Sequence, residues 1–185
     1  MLKLLNNNRI FKNKPNTSVF AVILYLIGLA GLIAADQITK LWAFNYLQKI
    51  GSMPVVSDYL EFSYAQNSGA AFSILQGRKI FLIAVPLIFS AVCIGLIISR
   101  RLKSPLANIS LVLITAGGVG NLIDRILRGY VVDFIYLAKI NFAIFNVADS
   151  CVTVGVVLLV LYLLINDGTF GRRKNRSEIF KNRRY

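Results

Sequence analysis

Four long stretches of this chain carry almost no charge, and that constrains its fold more than any other feature. They run over about residues 19–35, 80–99, 106–123 and 142–165. A hydrocarbon layer about 30 Å thick needs roughly 20 consecutive apolar residues in a helix. Four such windows in 185 residues predict an all-α integral membrane fold with four transmembrane helices. Residues 19–166 form one membrane domain, flanked by basic tails at 1–18 and 167–185. Pro86 falls inside the second window, where a kink is tolerated. Asn121 interrupts the third, and Asn146 and Asp149 interrupt the fourth.

The first window follows basic residues, as a cleavable leader would. Its apolar run is longer than a leader's core, no Ala-x-Ala precedes Asp36, and three more spans follow, so a retained span is expected. The connection over about 47–78 is too long for a simple helix hairpin. Its segment VVSDYLEFSYAQ mixes β-branched, aromatic and polar residues and predicts a small β element between spans one and two.

The net charge is +13, but 14 of the 21 basic residues lie in the two tails and the 100–103 loop. That distribution is the positive-inside signature. It places both termini in the cytoplasm and the β element outside, and it assigns the basic tails to topology and anionic lipid, with no nucleic-acid partner. The chain has no histidine, which removes Ser-His and Cys-His catalysis and most zinc sites. No metal or other cofactor is expected. Cys93 and Cys151 sit in apolar runs and are expected to be small buried hydrophobes.

Ionisable groups near a bilayer cost several kcal/mol, so each is a functional candidate. Of eight acids, Asp36, Asp124, Asp133 and Asp149 all fall at span ends on the extracytoplasmic side. Asp36 and Lys40 share a helix face, either as an interfacial salt bridge with Lys40 snorkelling or as a pair orienting a headgroup or a neighbouring helix. Gly117, Asn121 and Arg125 recur at four-residue spacing, either as a packing seam or as a polar stripe toward a substrate. Asn146 and Asp149, with Phe145 beside them, share a face of the fourth span. Asp133 precedes that span and is the natural partner of Asp149, because the intervening segment is short enough to fold back.

Two carboxylates sharing a water suffice for aspartic peptidase chemistry, since like charges a few ångströms apart leave one of them protonated. On spacing alone, a structural carboxylate pair and a proton relay compete with that reading. So do whole-protein alternatives: a small proton-coupled transporter, and an assembly factor with the acids as packing pairs. A presenilin-like protease would carry GxGD on a span, where this chain has GVGN at 118–121.

The ordered set DQITK (36–40), NSGAAFSI (67–74), GGVGNLIDR (117–125), GYVVDF (129–134) and FNVADS (145–150) resembles the lipoprotein signal peptidases, or type II signal peptidases, across roughly residues 20–165. The resemblance implies a metal-free intramembrane aspartic endopeptidase. Such enzymes remove signal peptides from diacylglyceryl-modified prolipoproteins, cleaving just before the lipidated cysteine. It places the catalytic aspartates at Asp133 and Asp149. It assigns Asp36, Lys40, Asn67, Gly117, Asn121, Arg125 and Asn146 to substrate binding or support, with Phe145 alongside and Asp124 as structural. It further implies that the β element and an extracytoplasmic helix clamp the substrate, that membrane lipid is a partner, and that the protein acts as a monomer in the bacterial inner membrane. Ser68 stands where the family commonly has Thr. The IYLAKINFAI segment is less aromatic than is usual there.

Overall fold

The computed structural model describes residues 17–69 and 79–166. Both basic tails, and the expected β element beyond residue 69, lie largely or wholly outside the described residues. Helix α1 spans Val19–Trp42. Ser18 caps it by accepting a hydrogen bond from the Ala21 amide, as serine does at helix starts. Helix α2 spans Lys79–Ile98 with Pro86 inside it. Helix α3 spans Pro105–Leu127, with Ser104 as its cap and proline at its first position. Helix α4 spans Val147–Asn166. All four are long and apolar enough to cross a membrane.

Helix α3 is the central one and packs against the other three. It runs buried through most of its length, while α1, α2 and α4 turn Ile, Val, Leu and Phe outward. An outward apolar surface is what lipid tails require. The close approach depends on glycine. A Cβ on Gly155 would meet the Ser110 carbonyl oxygen at 2.9 Å, and one on Gly117 would run into the Ala148 carbonyl oxygen. Small residues let membrane helices approach in this way. Cys93 and Cys151 are free and buried, as expected from their apolar settings.

Three features differ from the sequence expectation. First, helix α1 does not stop near residue 35. It continues to Trp42, then through a π-helical stretch, Ala43–Leu47, and a last turn, Gln48–Ile50. Ala43 and Leu47 of this continuation are buried against Val132 and Phe134.

Second, the sheet has three strands. Strands β1 (Ser52–Val56) and β2 (Leu60–Asn67) form the expected hairpin, and β3 (Val131–Tyr136) joins it antiparallel to β2. Strand β3 comes from between spans three and four and carries Asp133. Trp42, Phe62 and Phe134 meet edge to face where the α1 continuation covers this sheet.

Third, the fourth span begins at Val147, and residues 142–146 are extended chain. The Phe145 amide donates to the Ile135 carbonyl, and the Phe145 carbonyl accepts from Phe134 and Ile135. These bonds fold the segment back onto β3. Asp149 therefore lies in the first turn of α4 rather than one or two turns inside it.

At the opposite end of the bundle, Thr17 Oγ1 donates to the Leu102 carbonyl. The start of α1 thus sits beside the basic 100–103 loop, as an even number of spans requires.

Candidate active site

The start of α4 is built by a reciprocal cap. Asn146 Oδ1 accepts from the Asp149 amide, and Asp149 Oδ2 accepts from the Asn146 amide. Two backbone donors at the helix start are satisfied in this capping-box arrangement. Asn146 and Asp149 do meet, then, as a helix start and not as two rungs on one helix face.

Asn146 also reaches the other carboxylate. Its Nδ2 donates to Asp133 Oδ1 at 2.6 Å, and lies 3.2 Å from Asn121 Oδ1. Asn67 Nδ2, from the end of β2, donates to Asp133 Oδ2 at 3.0 Å. Asn121 Nδ2 donates to Asp149 Oδ1 at 2.8 Å. Three asparagines therefore hold the two carboxylates from three separate elements. Asp133 is 2% exposed, and Asp149 is partly open.

Strand β3 lies beyond the membrane-spanning helices. Burial first, and then the charge of Asp149, pushes the Asp133 carboxyl up from 3.8 to about 6. The hydrogen bonds from Asn67 and Asn146 and the charge of Lys40 oppose that rise without cancelling it. A raised carboxyl beside a second carboxyl is the electrostatic condition for a shared proton.

Both aspartates open onto one cavity of about 830 Å³. Its polar edge is formed by Asn67, Asn121, Arg125, Asp133 and Asp149. Phe81, Leu82, Val85 and Pro86 of α2 form one apolar side, and Val152 and Val154 of α4 form another. Gly117 and Phe145 also line it. Arg125 donates to the Gly69 and Asn121 carbonyls, while its buried Nε has no partner among the described residues. Gly69 is the last described residue before the 70–78 segment.

Behind the cavity lies an ion cluster. Lys40 is 0% exposed, which rules out snorkelling. Its Nζ lies 2.9 Å from Asp36 Oδ2 and 3.2 Å from Asp124 Oδ2, and donates to Asn121 Oδ1 at 2.8 Å. Arg128 pairs with the other oxygen of Asp124. A buried ammonium without such partners would cost several kcal/mol. Here three acceptors surround it. Sequence spacing pointed to the Asp36–Lys40 pair but not to its third and fourth members. It also missed Gln37, which ties Asp36 Oδ2 to the Gly120 carbonyl through its own Nε2.

The model of the signal peptidase (SPase) II family matches residues 28–165. The chain belongs to the signal peptidase II family. The lipoprotein signal peptidase of Clostridium tetani is 37% identical over 155 residues, which covers 82% of this chain and 97% of that protein. That of Clostridium acetobutylicum is 38% identical over 138 residues, covering 73% and 90%. One from Streptococcus pyogenes is 39% identical over 140 residues, covering 76% and 92%. Among solved structures, a bacterial membrane enzyme determined by the in meso method at 2.3 Å matches with a TM-score of 0.73 and 32% identity, covering 84% of this chain and 94% of that one. A second, at 1.9 Å, matches with a TM-score of 0.68 and 33% identity. Membership in the signal peptidase II family makes this chain a multi-pass membrane peptidase.

Proposed function

We propose that this signal peptidase II family member is an intramembrane aspartic endopeptidase. It removes signal peptides from diacylglyceryl-modified prolipoproteins, cleaving just before the lipidated cysteine. The observation that carries this reading is the convergence of Asp133, on β3, and Asp149, in the first turn of α4, on one cavity between apolar helix faces. The curated relatives are named lipoprotein signal peptidases, which supports the substrate class.

The mechanism follows from the surroundings of each carboxylate. Asp149 sits at a helix N-terminus, where the backbone dipole favours negative charge, and accepts from Asn121 and Asn146. It takes a proton from a water held between the two carboxylates. Asp133, enclosed and raised, carries the shared proton and donates it to the scissile carbonyl oxygen as hydroxide attacks the carbonyl carbon. The tetrahedral state then collapses, a proton passes to the departing amine, and the C–N bond breaks. Asn67, Asn121 and Asn146 hold the carboxylates. Arg125, at the cavity edge, holds peptide carbonyl or headgroup oxygen. Gly117 and Phe145 shape the cavity, and Asp36 and Lys40 support it from behind.

The cavity volume lies within the 300–1,000 Å³ typical of ligand sites. Its apolar sides accommodate acyl chains that enter laterally from the bilayer. Both termini are on the cytoplasmic side and the dyad is near the outer face.

Reconstitution of the protein in liposomes with a diacylglyceryl-modified precursor tests this reading. Wild type cleaves the modified precursor and spares the unmodified one, and Asp133→Asn and Asp149→Asn cleave neither. Normal cleavage by either variant would refute the dyad. Equal cleavage of unmodified precursor would refute the substrate class.

A further inference from the structure

The residue before each aspartate of the dyad donates its backbone N–H to a carboxylate of the buried ion cluster. Ala148, which precedes Asp149, donates to Asp36 Oδ1 at 2.9 Å. Val132, which precedes Asp133, donates to Asp124 Oδ2 at 3.2 Å. The other oxygen of Asp36 and that same oxygen of Asp124 both lie against Lys40 Nζ. A third bond from Lys40 fixes Asn121 Oδ1, which turns Asn121 Nδ2 toward Asp149 Oδ1. One ammonium therefore ties together α1, α3, the first turn of α4 and β3.

The packing makes room for this tie. A Cβ on Gly120 would stand 2.5 Å from Asp36 Oδ2. Glycine at that position of α3 lets a carboxylate of α1 reach the start of α4. Neither Asp36, Lys40 nor Asp124 lines the cavity, so none of them is placed to touch substrate.

We propose that Lys40 is the positioning residue of the dyad, clamping the backbones on either side of the cavity so that Asp133 and Asp149 keep the separation at which they share one water. This rests on the dyad reading above. It adds that the spacing of the pair is set by a cation outside the cavity. A displacement of about 1 Å in a catalytic group is enough to cost up to a hundredfold in rate, so a clamp of this kind governs turnover without touching substrate.

Removing Lys40 alone would leave Asp124 with Arg128 and the buried Asp36 carboxylate with no cation among the described residues. The informative variant is therefore the double substitution Asp36→Asn with Lys40→Met. It removes one charge of each sign and keeps the Asp124–Arg128 pair. It also leaves an amide oxygen at position 36 to accept from Ala148. The tie is lost, together with the Gln37 bond to the second oxygen of position 36. Full-length protein in liposomes is assayed on a precursor peptide bearing a diacylglyceryl cysteine, with thermal midpoint, kcat, KM and the pH profile of kcat as readouts.

The double variant is expected to keep a midpoint within a few degrees of wild type and a KM within about threefold, while kcat falls roughly tenfold to a hundredfold. The alkaline limb of its kcat profile moves, because Asp133 loses both the Lys40 charge that lowers its carboxyl and its fixed distance from Asp149. A second variant, Lys40→Gln, keeps a donor for Asn121 but cannot bridge both carboxylates, and it loses kcat in the same way. Wild-type kcat in either variant overturns the proposal. Activity lost only in proportion to folded protein, with an unmoved pH profile, assigns Lys40 to stability alone and also overturns it. Asp133→Asn and Asp149→Asn, run alongside, separate the two readings. If they cleave normally, the dyad and the clamp both fall. If they are inactive while the double variant turns over normally, only the clamp falls.

Discussion

Replacing Asp133 with asparagine removes a carboxylate whose ionisation the fold opposes, so the variant gains stability in a definite pH window. The Asp133 carboxyl is raised from 3.8 to about 6 by burial and by Asp149. The folded protein thus holds this proton more tightly than the unfolded chain does. Its contribution to stability is intact below 3.8 and is lost as pH rises through about 6. At about 1.4 kcal/mol per unit, the wild-type cost above that range reaches an upper value of about 3 kcal/mol.

Asparagine does not pay that cost, but it fits imperfectly. Asp133 accepts from both Asn67 Nδ2 and Asn146 Nδ2, so the new NH₂ must face one of these donors. Neither can turn freely, because Asn67 Oδ1 holds the Gly69 amide and Asn146 Oδ1 holds the Asp149 amide. One lost hydrogen bond costs about 1 kcal/mol. The net gain is about 2 kcal/mol above pH 6, and it gives way to a small loss at pH 4. For a chain of this size that is a rise of roughly 4–8 °C in thermal midpoint at pH 8. The assay is a thermal melt of the purified detergent-solubilised proteins at pH 4 and pH 8. A midpoint difference between variant and wild type that is the same at both pH values would refute the electrostatic reasoning.

The same shift predicts that kcat/KM falls on the alkaline side with a midpoint at about 6, since that profile reports the carboxyl of the free enzyme. A profile flat from pH 5 to pH 9 contradicts it. Gly117→Ala drives a Cβ into the Ala148 carbonyl. It is expected to cost about 1–3 kcal/mol through overpacking and to lower activity beyond the loss of folded protein by pushing Asp149 away, and wild-type activity in a melt-corrected assay would contradict this. Arg125→Ala removes a charged donor at the cavity edge and is expected to raise KM roughly tenfold or more with little change in midpoint. Normal processing of the lipid-modified precursor by that variant removes Arg125 from substrate binding.

Much of the fold was legible because the bilayer is a demanding solvent. Apolar runs of helix length located all four spans, and the alternation in VVSDYLEFSYAQ located β2 and the end of β1. Strand β3 was not legible. Val131, Val132, Asp133 and Phe134 are all buried, so the period-2 contrast that marks a half-exposed strand is absent. The start of span four was misplaced because Phe142–Phe145 is apolar for another reason: it folds against β3 and the cavity instead of crossing the bilayer. The N-x-x-D pattern of Asn146 and Asp149 was a helix-start signal within that run.

In the site, the cost of acids near lipid singled out Asp36, Asp124, Asp133 and Asp149. What spacing did not carry was their connection. Lys40 meets Asp124 only through tertiary packing, and the amides of Val132 and Ala148 leave no mark in the sequence as acceptor-bound groups. The continuation of α1 through Ala43–Leu47 was hidden for a related reason, since it is anchored by burial against β3 and not by an unbroken apolar run.

The central claim is that Asp133 and Asp149 act as one unit. Single-turnover cleavage of a diacylglyceryl-modified precursor by wild type, Asp133→Asn, Asp149→Asn and the double variant tests it, with precursor binding measured in parallel. Each single variant is expected to bind within a few-fold of wild type and to lose roughly a thousandfold or more in cleavage, and the double variant to lose no more than either single one. A single variant that cleaves at near wild-type rate, or a double variant whose loss is the product of the two single losses, would contradict it.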